Sequence, residues 1–433
     1  MGPAGPFCLD DAACHEGVQH IDSLLSMNRD RMASFVSGEV GGDSSVLGIV
    51  GAGVMGTAIA ADAMANGLDV LLMDVDEGAL ARAVESLGVA TDQGSLGATS
   101  DLDEMAACSI VIEAVVEDEM KKGALLRDLD ERMSPGNLLA TNTSTIPIGR
   151  LARALRRHPE RLCGTHFFLP LAERPVVEVI FSDNTSPEAK EAAVGLAVAL
   201  DRSALLAPDA VGFVVNRLMM PYVSEGMQLL TEGVEPELIE QVAVQFGMPK
   251  GPLSLLDEVG LDTALDCGWV FAGAYEDRIA VSPLLVAMVK AKRLGQKMGS
   301  GFFRYTTGAN GATEQEVDAA AMEIVARWSG TASGATAEEI AARLFLPMVF
   351  EGTRLLEEHE GSVAADVDLG AVLGLGMSTA RGGPLFWCDQ LGVRQILEIA
   401  KSLKSLGARM EPPESLQRMA EGGTTFHGQT SRA

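Results

Sequence analysis

The chain is short of positive charge. Against 60 aspartates and glutamates stand only 33 lysines and arginines, a formal net charge of −27 over 433 residues. A surface that negative repels phosphodiester backbones and anionic headgroups, which excludes nucleic acid and membrane as broad binding partners. Long apolar runs are missing as well. The longest candidate, residues 49–64, is broken by glycines and by Asp62, and it falls short of the ~18 residues a membrane helix needs. The opening stretch MGPAGPFCLDDAACHEG has no basic segment followed by an apolar one, so it does not read as a secretory signal. The six cysteines (Cys8, Cys14, Cys108, Cys163, Cys267, Cys388) form no CxxC pair. They read as reduced thiols, and the expected location is cytoplasmic. Cys8, Cys14, His15 and His20 could be drawn as a metal cluster, but their spacing matches no standard site. The expectation is a solvated N-terminal segment and no metal.

What is present is an ordinary globular composition, 47% hydrophobic and 21% charged, which excludes disorder as the dominant state. At roughly 150 residues per domain the length suggests about three domains. Residues 46–50 (VLGIV) read as a short strand. They lead through Gly51, Gly53 and Gly56 of GAGVMG into the helix-compatible TAIAADAMANG, and a second strand, Val70–Met73, ends at Asp74. That is the strand–turn–helix–strand–acid layout of a dinucleotide-binding unit. Gly51 permits the tight turn, Gly53 the approach of a pyrophosphate, and Gly56 close helix–strand packing. Met55 lies in the first helical turn, whose amides would face the phosphates. Asp74 would accept from both ribose hydroxyls and repel a 2′-phosphate, favouring NAD over NADP. The alternation continues with strands at 109–113, 138–140, 163–168 and 176–181 and a helix at 118–132. From about Val211 onward the pattern becomes helix after helix. The expected fold class is therefore an α/β Rossmann-type dinucleotide-binding domain followed by all-α domains.

The helical half repeats itself. Residues 217–230 read RLMMPYVSEGMQLL and residues 343–356 read RLFLPMVFEGTRLL; Arg, Pro and Glu recur at a constant offset of 126 residues. GPLSLLDEVG (251–260) is echoed by GPLFWCDQLG (383–392). Two modules related by duplication follow, joined by a Gly-, Ala- and Thr-rich linker at 306–337. One difference is chemical: Asn216 precedes the first RL and Ala342 the second.

Of six histidines, His166 stands at the end of a strand candidate in GTHFFLP, and twelve residues on Glu178 lies in PVVEVI. A carboxylate in an apolar strand is costly without a partner, and an imidazole is a natural one. The pair would make His166 a better base by fixing its tautomer and favouring the imidazolium. A structural histidine beside an edge-strand glutamate is the alternative on spacing alone.

The ordered set GAGVMG, EAVVEDEMKK, NTST, THFFLP…VVEVI, DAVGFVVNRLMMPYV, GMPKGPLSLLDEVG and GQKMGSGFFRY resembles the L-3-hydroxyacyl-CoA dehydrogenases over residues 46–305. The duplicated module resembles the C-terminal part of the multifunctional β-oxidation enzymes, without their enoyl-CoA hydratase half. The resemblance implies NAD as cofactor and oxidation of an L-3-hydroxyacyl-CoA to the 3-ketoacyl-CoA. It implies His166 as catalytic base with Glu178 as its partner, Ser144 and Asn216 as donors to the substrate oxygens, Glu117 and Lys122 near the nicotinamide ribose, and Lys297 as a further cofactor contact. Turn hydroxyl, helix cap and solvated helix charge are the plain alternatives for Ser144, Asn216 and Lys122.

Three positions depart from the family pattern. Leu169 replaces the asparagine of HFFNP and removes a polar contact on the cofactor side. The stretch Asp76–Asp103 has Arg82 as its one basic residue, where relatives carry a Lys-rich hairpin against CoA. Met410 stands where the multifunctional enzymes have tyrosine. These departures keep open a dehydrogenase of another 3-hydroxy acid or thioester, or a catalytically weak NAD-binding interaction protein. The expected division is an N-terminal extension (1–45), in which Val18–Val36 has helical periodicity and either docks on the back half or forms a mobile tail, an NAD-binding domain (46–207), a helical domain (208–305), the linker (306–337) and a second helical domain (338–433). The second module could fill a dimer partner's place, giving a monomeric pseudo-dimer; a homodimer is the alternative, and association with other β-oxidation enzymes is a further expectation.

Overall fold

A computed structural model describes residues 7–36, 46–88, 94–279, 281–308, 313–330 and 334–428. The chain forms two compact units, one of residues 22–214 and one of residues 1–21 with 215–433. A long helix, α1 (Asp11–Phe35), gives its first half to the second of these and its remainder to the first.

In the unit of residues 22–214, eight strands make one sheet: β1 (Leu47–Val50), β2 (Val70–Met73), β3 (Leu96–Thr99), β4 (Ile110–Glu113), β5 (Leu138–Thr141), β6 (Leu162–Phe167), β7 (Val176–Ile180) and β8 (Ser203–Ala207). Their order is β3-β2-β1-β4-β5-β6-β7-β8. All neighbours are parallel except β6 and β7, which pair antiparallel with His166 directly opposite Glu178. Helices α2 (Val54–Ala65), α3 (Glu77–Leu87), α4 (Glu119–Arg132), α5 (Ile148–Ala152) and α6 (Pro187–Ala199) connect the strands. Both faces of β1 and β5 are buried, as expected of a parallel sheet covered on two sides. The strands expected from sequence are all present, with ends shifted by a residue or so.

The helical unit runs through α7 (Val215–Thr231), α8 (Pro236–Phe246), α9 (Pro252–Val259), α10 (Leu261–Ala274) and α11 (Pro283–Lys290). After a hairpin of β9 (Phe303–Thr307) and β10 (Thr313–Val317) come α12 (Ala319–Ala326), α13 (Ala337–Glu358), α14 (Ala364–Leu369), α15 (Pro384–Leu391), α16 (Val393–Ser402) and α17 (Glu414–Gly422). The duplication is visible as geometry. Helices α7 and α13 carry an internal proline at the same place, Pro221 and Pro347. Arg217 pairs with Glu351 at 2.7 Å and Glu358 at 2.8 Å; reciprocally, Arg343 pairs with Glu225 at 3.1 Å and Glu232 at 2.5 Å. Reciprocal contacts of this kind are what a two-fold interface produces. Further from the seam, Asp257 accepts from the amides of Phe302 and Phe303, and Asp389 does the same for Phe426 and His427.

The described part of the expected linker, 306–337, carries elements of its own: β10 closes a hairpin on β9, and the apolar α12 buries Ala321 and Val325. One sequence expectation needs correction. The N-terminal segment is not a solvated tail over its described part. Phe7, Ile21, Leu24, Asn28 and Met32 are buried, Arg381 donates to the Phe7 carbonyl, and Asn28 donates to the Ala204 carbonyl. Residues 1–6 and 37–45 lie outside the described residues.

Candidate active site

The dinucleotide cradle behaves as its glycines require. Gly51 has φ +114°, and a Cβ there would lie 2.7 Å from the Ala114 carbonyl oxygen. A Cβ on Gly56 would fall 1.8 Å from the Gly51 carbonyl oxygen, whereas one on Gly53 would meet open space. Helix α2 begins at Gly53 with no side-chain cap, so its first amides are left for an anion. Asp74 is tied into the loop itself: one carboxylate oxygen accepts from the Ala52 amide at 2.7 Å, the other from Asp76 at 2.9 Å. A groove of about 520 Å³ opens beside Gly53, floored by Thr57 and Ala58 and walled by Arg82 and Ala83. These residues fit a dinucleotide.

At the carboxyl ends of β5 and β6 the second half of the site assembles. His166 Nδ1 lies 2.7 Å from Glu178 Oε2 and its Nε2 3.1 Å from Ser144 Oγ. The antiparallel register of β6 and β7 sets the first distance, because it places the two residues opposite each other. Glu178 is wholly buried, and its other oxygen accepts from the Val214 amide at 2.8 Å. Each of its two oxygens thus has a partner, which makes the buried carboxylate tolerable. Phe168 meets the imidazole edge-on at 4.5 Å between centroids, and Phe213 tilts against it at 5.6 Å. An ionised Glu178 fixes the proton on Nδ1 and leaves the Nε2 lone pair facing Ser144.

Glu117 organises the NTST loop. Its Oε1 accepts from the Thr143 hydroxyl (2.7 Å), the amides of Ser144 and Thr145 (both 3.0 Å) and the Thr145 hydroxyl (2.9 Å). Burial works against its charge, but Lys122 at 3.5 Å and these donors outweigh it, holding the carboxyl below its usual range. Lys122 is no solvated helix charge. It is 1% exposed and donates to both oxygens of Glu113, at 2.8 and 3.1 Å, where Thr141 also donates at 2.6 Å.

Ser144, His166, Glu178 and Glu117 therefore converge, with Gly51, Gly53, Met55, Gly56 and Asp74 forming the cradle in the same unit. Asn216 and Lys297 belong to the helical unit. Asn216 sits in the first turn of α7, and Lys297 pairs with Asp262 at 2.5 Å. Leu169 is 44% exposed. Met410 is buried in the second helical module. Sequence reasoning missed Thr143, Thr145, the Val214 amide and Glu113. The two threonines flank Ser144 in NTST and could have been found there; a backbone donor leaves no side-chain signal.

A parallel sheet with a glycine-rich first turn and a buried His–carboxylate pair defines an NAD-binding dehydrogenase. The comparisons with known proteins narrow this. Residues 46–210 match the 3-hydroxyacyl-CoA dehydrogenase, NAD binding domain, and residues 212–305 match the 3-hydroxyacyl-CoA dehydrogenase, C-terminal domain. The 3-hydroxybutyryl-CoA dehydrogenase of Escherichia coli K12 is similar, with 25% identity, a TM-score of 0.72 and coverage of 88% of this chain and 98% of that one. The (S)-3-hydroxybutyryl-CoA dehydrogenase of Ralstonia eutropha shares 32% identity over 60% of this chain and 99% of its own, with a TM-score of 0.55. The dehydrogenase part of multifunctional enzyme 1 from C. elegans shares the fold at 23% identity and a TM-score of 0.60, covering 90% of this chain and 96% of that one. The chain belongs to the 3-hydroxyacyl-CoA dehydrogenase family, and its cofactor is NAD. Among the described residues no helix is long and apolar enough to cross a membrane.

Proposed function

We propose that the chain oxidises the 3-hydroxyl of an L-3-hydroxyacyl-CoA to the 3-ketoacyl-CoA, with His166 as the base. The observation that carries this is the pair of bonds on one imidazole, Nδ1 to Glu178 at 2.7 Å and Nε2 to Ser144 at 3.1 Å. Removing hydride from an alcohol carbon requires loss of the hydroxyl proton, and Nε2 is the one basic lone pair in an apolar surround of Phe168 and Phe213. The substrate hydroxyl takes its place between Ser144 Oγ and Nε2. Ser144 donates to the oxygen as carbonyl character grows, and Glu178 stabilises the imidazolium that forms. Asn216, in the helical unit, is assigned to the substrate oxygens by the family resemblance alone. NAD, when bound, accepts the hydride from C3. Glu117 holds the NTST loop and so the height of Ser144.

The exposed Leu169 and the single basic residue between Asp76 and Asp103 support a second reading, a 3-hydroxy acid or thioester other than a CoA ester. The reciprocal Arg–Glu pairs of α7 and α13 support a monomeric pseudo-dimer in which the second helical module stands where a partner subunit otherwise would. None of the six cysteines is in a disulfide, which supports a reducing compartment such as the cytoplasm. The test is NAD reduction with L-3-hydroxybutyryl-CoA, its D isomer, and free (S)-3-hydroxybutyrate. Turnover confined to the L-thioester is expected. Equal turnover of the D isomer would contradict the proposal, and comparable turnover of the free acid would favour the second reading.

A further inference from the structure

The second helical module holds a cluster that the dehydrogenase reaction does not use. His20 on α1, Asp368 on α14 and His427 beyond α17 meet there, their candidate ligand atoms all within 4.8 Å of one another. His427 Nε2 lies 2.8 Å and His20 Nε2 3.6 Å from the same atom, Asp368 Oδ2. The second distance is too long for a hydrogen bond, and His20 Nε2, though buried, has no hydrogen-bond partner. An imidazole nitrogen buried and aimed at a shared carboxylate oxygen is a polar group awaiting a partner.

We propose that His20, Asp368 and His427 form a structural site for a divalent cation of the zinc class. Two imidazoles and a carboxylate are ligands zinc takes, at about 2.0–2.2 Å each, so that ligand atoms in a tetrahedral site stand about 3.3 Å apart. The two distances to Asp368 lie on either side of that value, and the two imidazole nitrogens, within 4.8 Å of each other, close toward the ion by rotation of the His20 and His427 side chains. Water completes the shell: both imidazoles keep slight exposure, 11% and 12%, while Asp368 has none.

The surroundings hold the ligands in place. Asp368 accepts from the amides of Leu385 and Phe386 at 2.8 and 3.1 Å, which orients its carboxylate. Gly383, at φ +95°, makes the approach possible, since a Cβ there would lie 2.3 Å from Asp368 Oδ1. His20 stacks on Phe386 at 4.1 Å and meets the His427 ring edge-on at 4.4 Å. Amide bonds and ring contacts of this kind orient metal-ligating side chains. The first helical module carries the same carboxylate clamps without the ligands: Glu240 stands in the role of Asp368, and Phe303 in that of His427. The cluster is therefore no inherited consequence of the duplicated scaffold. A cation here would tie the first described helix to the last described turn of the chain.

The test uses the full-length protein, stripped with a chelator, kept reduced, and titrated with zinc against a chromophoric competitor. One zinc per chain is expected, with an unfolding midpoint that rises as zinc is added. His20→Phe, which keeps the stack on Phe386, and His427→Gln, which keeps a bond to Asp368, should each weaken binding about 100-fold or more. They act from opposite ends of the chain, so a folding failure in one leaves the other to decide. Cobalt(II) at the same site should absorb in the visible without a thiolate charge-transfer band. Wild-type binding no tighter than that of a folded variant, or a thiolate band that shows cysteine as ligand, would overturn the proposal.

Discussion

At the scale of single residues, the account rests on where protons and charges are held. His166→Ala removes the group proposed to take the substrate proton, and kcat should fall by roughly two to four orders of magnitude. Glu178→Gln is the subtler change. The amide can donate to Nδ1 and push the proton onto Nε2, so kcat should fall by roughly two orders or more while NAD affinity, read by NADH fluorescence, stays within a few-fold. A loss of NAD binding in that variant would mean Glu178 supports the fold rather than the chemistry. Glu117 makes a pH prediction. Its folded pKa lies below the ordinary 4.5, so it adds stability above about pH 4.5, and that stability is lost as pH falls through the lowered value. Denaturant unfolding at pH 7 and at about pH 3.5 should therefore show a larger loss in the wild type than in Glu117→Gln.

At the scale of elements, strands and loops put these residues in register. The dinucleotide turn was legible in sequence, because Gly51 and Gly56 are forced by backbone approaches that a Cβ would block, while Gly53 keeps open the space a pyrophosphate would take. Gly56→Ala places a carbon 1.8 Å from the Gly51 oxygen, and the helix must move; a stability loss of about 1–3 kcal/mol is expected, together with weaker NADH binding. The His166–Glu178 partnership was legible as chemistry but not as geometry, since nothing in the spacing states that β7 runs antiparallel to β6. The burial of Lys122 was not legible, because a helix pattern does not reveal which charge faces inward. Its partner Glu113 ends a strand, where a carboxylate looks like any strand-end acid. The hairpin of β9 and β10 was hidden by the short, polar TEQEV, which carries none of the apolar alternation that marks a half-buried strand.

At the scale of the whole molecule, the repeat read from thirteen identities in two segments became a pair of reciprocal ion-pair clusters in one helical unit. The constant offset made the duplication visible in sequence, whereas the matching clamps at Asp257 and Asp389 escaped notice because a backbone donor leaves no side-chain signal. Arg217 is buried against Glu351, and Arg278 and Arg354 also reach that carboxylate. Glu351→Gln should cost about 3–5 kcal/mol in chemical denaturation, since it strands buried charge. Replacing Arg217 by Met and Glu351 by Leu together should recover part of that loss. The pseudo-dimer reading adds that sedimentation should return the mass of one chain. The central claim is the dehydrogenase chemistry at His166, and the most direct measurement is NADH oxidation with acetoacetyl-CoA by the wild type and by His166→Ala. Turnover in the wild type that the variant loses by at least about a hundredfold, with NADH still bound, is the predicted result; NADH binding without reduction of the thioester by the wild type, or equal rates in both proteins, would contradict it.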